Sequence, residues 1–209
     1  MTDWQLWHDA YSDPESVLSE RLAVVQERIR AWADDAAPGP LRLVSICAGQ
    51  GNDVVRALHD HPRHPDVSGV LVERDPENVR AANRALVEAG LDGVQAVVGD
   101  AGLASAYRGA VPADLVLVCG VLGNISDDDV RATVLALPGF CAPRATVVWT
   151  RNRRDPDLTP AIRGWLEAGG FEELDFSTPG DGGYGVGTHR LVGPPKSPDE
   201  TARLFEFVR

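Results

Sequence analysis

The sequence has few cysteines and no long apolar run, and each absence excludes a class of protein. Its three cysteines, Cys47, Cys119 and Cys141, are an odd number in apolar stretches, which argues against a disulfide framework and for a reducing compartment. No apolar run approaches the roughly 20 residues that cross a bilayer, and the first residues do not have the pattern of a signal peptide. We therefore expect a cytoplasmic protein that has no membrane partner.

Basic residues are also scarce. The chain has 20 Lys and Arg against 31 Asp and Glu, which gives a net charge of −11, and only Lys196 is a lysine. A surface of this sign repels phosphate groups, so we expect no nucleic-acid partner. The strong preference for arginine over lysine is typical of high-GC bacterial genomes. With 44% hydrophobic residues in 209, the chain is predicted to fold as one domain around its own core.

Short apolar runs alternate with amphipathic stretches of helical length between residues 41 and 192. This alternation predicts an α/β fold with a mostly parallel sheet and helices on both faces. Two of the helices are predicted over 76–89 and 127–137, a late strand over 184–190, and a strand-like tail over 204–208. The apolar runs lie at 41–47, 67–73, 94–98, 114–119, 145–150 and 171–176.

An N-terminal helical extension precedes the sheet and is assigned to residues 1–40, with residues 41–209 as the main domain. The capping-box spacing of residues 12–15 predicts a helix over 14–34. Residues 3–11 form a shorter amphipathic piece, which is interpreted either as packing on the core or as a lid over the active site. Its aromatic face consists of Trp4, Trp7, His8 and Tyr11.

Ligands of open parallel sheets bind beyond the carboxyl ends of the strands, so the residues that follow each apolar run are informative. The first run ends in a turn with Gly49 and Gly51, which allow a ligand to approach the backbone closely. The second run ends at Glu73, 22 residues after Gly51, where a ribose diol needs an acceptor pair. Asp100 follows the third run, and the small-residue loop 119–124 follows the fourth. These strand ends predict a nucleotide-like ligand.

A dinucleotide cofactor is one alternative for this ligand. The fingerprint G-x-G-x-x-G needs a glycine at position 54, where the sequence has Val54. This departure argues against an NAD(P)-dependent oxidoreductase, which is kept as an alternative interpretation of the strand ends.

Taken together, the strand ends resemble the class I S-adenosylmethionine-dependent methyltransferase family over roughly residues 41–192. The resemblance implies a Rossmann-like, doubly wound, mostly parallel seven-stranded sheet with helices on both faces, here with an N-terminal helical extension. It also implies S-adenosyl-L-methionine as the cofactor. The segments that carry it are VSICAGQG (44–51), LVERD (71–75), VGDA (98–101) and ADLVLVCG (113–120).

The resemblance implies cofactor contacts for ten residues. They are Ala48, Gly49, Gln50 and Gly51 around the amino-acid part, Glu73 at the ribose hydroxyls, Arg74, Asp100 and Ala101 at the adenine, and Cys119 and Gly120 near the methionine amine and the methyl group. The first motif departs from the family at two positions: Ser45 stands where an acidic residue is common, and Cys47 where a glycine is common. These departures keep open a third interpretation, a catalytically silent cofactor-binding partner or sensor.

The methyl acceptor is expected to be a small molecule, modified on an O, N or C atom. The loop after the fourth run lacks the Asp/Asn-Pro-Pro-aromatic sequence of family members that methylate nucleobase amines, and the acidic net charge points the same way. A base is needed only if the acceptor loses a proton, and His8 and Tyr11 are the candidates. The candidate substrate-binding residues are Trp4, Trp7, Asn124, Trp149, Arg151 and Asn152, with Arg153 and Arg154 nearby.

No metal site is expected. The histidines His59, His61 and His64 follow the first helix of the sheet domain, and the chain has by then returned to the edge opposite the ligand. Cys119 is interpreted as a wall of the cofactor site, not as a nucleophile, because no histidine with an orienting carboxylate accompanies it.

Overall fold

The computed structural model describes residues 16–180 and 182–208. Within these ranges it contains the strands β1 Leu41–Ile46, β2 Val67–Glu73, β3 Val94–Val98, β4 Ala113–Val118, β5 Cys141–Asn152, β6 Phe171–Ser177 and β7 Tyr184–Leu191. The helices are α1 Val17–Asp35, α2 Asn52–Leu58, α3 Pro76–Glu88, α4 Asp127–Ala136 and α5 Thr159–Ala168.

The seven strands form one sheet in the order β3-β2-β1-β4-β5-β7-β6. Strands β1 to β5 are parallel, and β7 is antiparallel to both β5 and β6. The predicted doubly wound, mostly parallel seven-stranded sheet is therefore confirmed. The strand order reverses between β1 and β4, and such a switch point is where open α/β sheets bind ligands.

The core has two layers, one on each face of the sheet. Neighbouring residues of β1 point in opposite directions, so Leu43 packs under α1, α2 and α3, whereas Val44 packs under α4 and α5. Both residues are fully buried. Burial on both faces explains why these strands are nearly continuous apolar runs in the sequence.

The helix starts follow from capping side chains. Asp75 accepts a hydrogen bond from the N–H of Glu77 (2.8 Å) ahead of α3, and Ser126 accepts one from Asp129 (3.1 Å) ahead of α4. Both starts confirm the predictions. For α1 the cap is Ser16, which accepts from the N–H of Ser19 (3.1 Å), and the helix starts at Val17, whereas the predicted start at residue 14 lies outside the described residues.

Helix α1 packs against α2 and β7, and its residues Val25 and Ile29 belong to the same buried cluster as β1. Residues 1–15, which include the predicted aromatic face of Trp4, Trp7, His8 and Tyr11, lie outside the described residues. No described helix is long and apolar enough to cross a membrane.

The C-terminal tail is not a strand of the sheet, so the predicted strand over 204–208 is wrong. The tail makes only isolated bridges, from Arg203 to Leu103 and from Phe207 to Ile125. Leu204 is buried, and its carbonyl accepts a hydrogen bond from the Thr133 hydroxyl (3.0 Å). The tail thus lies between the loop after β3 and helix α4, where its neighbours are loops and a helix.

Candidate functional site

The loop between β1 and α2 turns sharply at the switch point of the sheet. Cys47, Gly49 and Gly51 all have positive φ angles of 58°, 56° and 68°. The loop is held by the N–H of Ala48, which donates to the Val72 carbonyl, and by the N–H of Gly51, which donates to the Ala48 carbonyl. Cys47 therefore keeps the left-handed backbone that glycine favours, although the residue itself departs from the resembled family.

Gly51 faces the interior of the protein. A Cβ at this position would lie 2.9 Å from the Cδ1 of Leu71 and 3.7 Å from the Cβ of Ala82. A side chain at this position would thus point toward the core between α3 and the sheet. Gly51 therefore contributes its backbone direction to the crevice, the space at the carboxyl ends of β1 and β4.

Glu73, the last residue of β2, is oriented by backbone donors from two loops. Its Oε2 accepts from the N–H of Gly49 and its Oε1 from the N–H of Asp75, both at 2.9 Å. A carboxylate oxygen has two lone pairs, so each oxygen can still accept one further hydrogen bond. Arg74 beside it is exposed. This geometry could hold a vicinal diol, as the sequence predicts for a ribose.

Asp100 follows β3 and contacts the C-terminal tail. Its Oδ1 accepts from the N–H of Gly102 (3.0 Å), and its Oδ2 lies 3.3 Å from Nη1 of Arg203. The ion pair with Arg203 is about half exposed, so it contributes little and leaves the carboxylate able to accept from another donor. Ala101 is buried, and its carbonyl accepts from the Tyr107 hydroxyl (2.9 Å).

The loop after β4 forms the other wall of the crevice. Gly120 has a φ of 78°, and its N–H donates to the Thr150 hydroxyl (2.9 Å). Asn124 donates from Nδ2 to the Gly120 carbonyl (2.8 Å), so this amide shapes the loop. Burial, with the negative charge of Asp53 added, raises the pKa of the Cys119 thiol, which keeps it protonated and argues against a nucleophile.

The prediction that Trp149 binds substrate is wrong. Trp149 lies inside β5, as it does in the predicted run 145–150, and only 1% of its surface is exposed. Its ring packs against Phe176, and its Nε1 donates to Nδ1 of His189 (3.3 Å). The tryptophan is a core residue.

Arg151 and Asn152 do lie at the end of β5, beside the crevice. The Arg151 guanidinium donates to the Leu122 carbonyl, and its Nη2 lies 3.1 Å from Asp127. Arg151 thus ties β5 to the loop after β4. The Nδ2 of Asn152 is 2.5 Å from where a Cβ of Gly123 would be, so this glycine leaves space for the amide.

Two charged residues that the sequence analysis did not single out lie in the crevice. A cavity of about 70 Å³ extends under the loop after β1, and Arg21 of α1 and Asp53 of α2 contribute to its lining. Arg21 is 5% exposed and Asp53 is 9% exposed. The other lining residues are Leu22, Val25, Cys47, Ala48, Gly49, Gln50, Asn52 and Cys119.

Burial raises the pKa of Asp53, against the effect of its backbone hydrogen bonds and of the Arg21 charge. The first of those bonds is accepted by Oδ1 from the N–H of Val54 (2.8 Å). A signal for Arg21 was present in the sequence: it precedes Val25 and Ile29 at intervals of four, which places an arginine on the buried face of α1.

The histidines after α2 make local hydrogen bonds. His61 is buried, its Nδ1 accepts from the N–H of Arg63, and its Nε2 lies 3.1 Å from Asp34. His64 Nδ1 is 3.0 Å from the His61 carbonyl. Among the described residues, no group of three or more His, Cys, Asp or Glu side chains is arranged to hold a metal ion.

Neither a family model nor a curated protein matches the sequence. The structure, however, is similar to solved methyltransferases. It matches magnesium protoporphyrin IX methyltransferase (ChlM) from Synechocystis PCC 6803 with bound SAM at a TM-score of 0.69 and 14% identity, covering 90% of this chain and 91% of that one.

An RNA methyltransferase from Salinibacter ruber, in complex with S-adenosyl-L-homocysteine, matches at a TM-score of 0.52 and 20% identity, over 85% of this chain and 95% of that one. An O-methyltransferase family protein from Burkholderia thailandensis matches at 0.63 and 17% identity over 84% of this chain, which spans 56% of that protein. At such identities the likeness concerns the fold. The chain therefore has the Rossmann-like fold of class I S-adenosylmethionine-dependent methyltransferases.

Proposed function

We propose that this protein is an S-adenosylmethionine-dependent methyltransferase that acts on a small molecule. The observation that carries the proposal is Glu73, a carboxylate at the carboxyl end of β2 that two backbone N–H groups orient beside the loop after β1. This arrangement stands next to the switch point of the sheet, where the fold places its ligands.

The residues of the crevice fit the cofactor part by part. Glu73 would accept hydrogen bonds from the two ribose hydroxyls, Asp100 would accept from the exocyclic amine of the adenine, and Arg74 would flank the base. The turn at Ala48, Gly49, Gln50 and Gly51 would surround the amino-acid part, and Cys119 and Gly120 would form the wall near the reacting methyl group.

When bound, the cofactor supplies an electrophilic methyl group on a sulfonium, which is already a good leaving group. The protein then has to align the acceptor with this methyl group and exclude water. In this proposal Asn124, Arg151 and Asn152, at the carboxyl ends of β4 and β5, would contact the acceptor. His8 and Tyr11 as bases, and Trp4 and Trp7 as substrate contacts, are proposals from the sequence alone.

A small-molecule acceptor is favoured by the net charge of −11 and by the absence of an Asp/Asn-Pro-Pro-aromatic motif after β4. The similarity to an RNA methyltransferase makes RNA the other acceptor class to test. Location in the cytoplasm remains an expectation from the composition.

The test is calorimetric titration of the purified protein with S-adenosylmethionine, S-adenosylhomocysteine and NADH under one set of conditions. The expected result is binding of both sulfur compounds and none of NADH. Binding of NADH alone would replace the proposal with an oxidoreductase, and binding without methyl transfer to any of a panel of small-molecule and RNA acceptors would favour a silent partner or sensor. A radiolabelled methyl group reports the transfer.

A further inference from the structure

Two opposite charges are buried where the candidate cofactor site meets helix α1. Arg21 and Asp53 line the cavity under the loop after β1, together with Ala48, Gly49 and Gln50. Burying two charges costs more than an ordinary apolar pair would, unless both are hydrogen-bonded or bind a charged ligand. Both residues border the loop at Ala48, Gly49 and Gln50, which in the proposed function surrounds the amino-acid part of the cofactor.

The amino-acid end of S-adenosylmethionine needs both charges, because it carries a carboxylate and an ammonium. In the segment VSICAGQG (44–51), Ser45 stands where the resembled family commonly has an acidic residue. Ser45 lies on β1 and is 2% exposed. A serine cannot supply a negative charge. Among the residues that line the cavity, Asp53 is the carboxylate and Arg21 is the guanidinium.

The fold holds both side chains in place. The Arg21 guanidinium lies over the ring of Tyr184, 5.0 Å from its centroid. Asp53 is fixed by the N–H of Val54, which donates to its Oδ1. Helices α1 and α2 pack on each other, and Gln26 of α1 donates to the Asn52 carbonyl (3.2 Å) at the start of α2. Contacts of α1 and α2 thus hold both side chains beside the cavity.

We propose that Arg21 binds the carboxylate and Asp53 the ammonium of the cofactor's amino-acid group, so that Asp53 takes the place of the acidic residue absent at position 45. This inference rests on the proposed function and deepens it. A planar guanidinium can give a carboxylate two parallel hydrogen bonds, which are among the stronger polar contacts in proteins.

The experiment compares two ligands on each variant by calorimetry. S-adenosylhomocysteine has the amino-acid group, whereas 5′-methylthioadenosine keeps the adenosine and lacks that group. We expect Arg21→Gln and Asp53→Asn each to weaken S-adenosylhomocysteine binding by roughly 10- to 100-fold, the range for a hydrogen bond to a charged group. Binding of 5′-methylthioadenosine should stay within about twofold of the wild type, on the same scale.

Arg28→Gln is the matched control. Arg28 also lies on α1, but its guanidinium binds Asp175 (2.6 Å) and Ser177 (2.9 Å) of β6. Its loss should leave the ratio of the two affinities unchanged. If Arg21→Gln does not fold, Arg21→Lys keeps the charge without the planar guanidinium, and it should show a smaller selective loss of S-adenosylhomocysteine.

The outcomes separate the two proposals. If the wild type binds neither ligand, the proposed function fails. If the wild type binds both but the Arg21 and Asp53 variants weaken the two ligands equally, or neither, then the pair is an internal tie between α1 and α2 and the inference is overturned.

Discussion

Glu73 has a structural role in addition to the binding role proposed for it. Both of its oxygens accept backbone N–H groups, from Gly49 and Asp75. Replacement by alanine removes these two bonds and the acceptors proposed for the ribose. We expect Glu73→Ala to weaken S-adenosylhomocysteine binding by about 1–3 kcal/mol, and to lower the free energy of unfolding by about the same amount.

Calorimetry and urea unfolding measure the two effects of Glu73→Ala separately. Asp75→Ala serves as a control, because it removes the cap of α3 but leaves the Glu73 carboxylate in place. An unchanged affinity in Glu73→Ala would remove this residue from the cofactor site.

We expect His189 to make the stability of the protein depend on pH. Burial, together with the positive charge of Arg163, lowers the pKa of His189 from 6.5 to about 4, while the negative charge of Glu173 opposes the shift. As the pH falls, His189 therefore takes up a proton at a higher pH in the unfolded chain than in the folded protein. The stabilisation is fully present above about pH 6.5 and is lost as the pH falls toward 4, and it amounts to roughly 3 kcal/mol.

Replacing His189 by glutamine removes this titration and keeps an acceptor for the Nε1 of Trp149. We expect the unfolding free energy of His189→Gln to change less between pH 6.5 and 4 than that of the wild type. Denaturant unfolding at several pH values measures the difference. Parallel curves for the two proteins would show that His189 does not titrate in this range.

At the scale of elements, the loop after β1 depends on left-handed backbone. Gly51 has a φ of 68°, and a Cβ there would approach Leu71. We expect Gly51→Ala to cost about 1–2 kcal/mol of stability and to weaken cofactor binding through the displaced loop.

Gly164 provides the comparison for Gly51, because it lies inside α5 and a Cβ there would meet nothing within 4 Å. The same glycine-to-alanine change at this position should stabilise the protein by about 0.5–1 kcal/mol. Thermal unfolding of the two variants gives the comparison. Equal effects at both positions would contradict the importance of the loop conformation.

Most elements could be predicted from the sequence, because strands buried on both faces are apolar runs and α3 and α4 start at capping residues. The ends of β5 could not, since Arg144, Arg151 and Asn152 are polar residues within its bounds. The tail was predicted as a strand from alternation alone, and alternation does not say whether a partner strand is available.

The candidate site was predictable where it depends on topology. Parallel strands bring Glu73 and Asp100 to one edge of the sheet, so their positions followed from the strand pattern. The spacing of α1 places Arg21 on its buried face, but its meeting with Asp53 at one cavity depends on how α1 docks onto α2, which no local pattern specifies. The core position of Trp149 was missed although the residue lies inside the predicted run 145–150, because its burial depends on contacts with Phe176 and His189 from other strands.

At the scale of the whole molecule, the excess of acidic residues bears on the acceptor. With a net charge of −11, the protein should repel polyanions at low salt, where such effects are strongest. We expect no binding of labelled single-stranded or hairpin RNA in fluorescence anisotropy at low salt. Submicromolar RNA binding that weakens with added salt would reverse the proposal of a small-molecule acceptor.

The most direct test of the central claim is a crystal structure of the protein with S-adenosylhomocysteine. The predicted result is a ligand in the crevice between β1 and β4, with its ribose hydroxyls on Glu73 and its amino-acid group between Arg21 and Asp53. A ligand bound elsewhere, or a crevice that stays empty at saturating concentrations of S-adenosylhomocysteine, would contradict it.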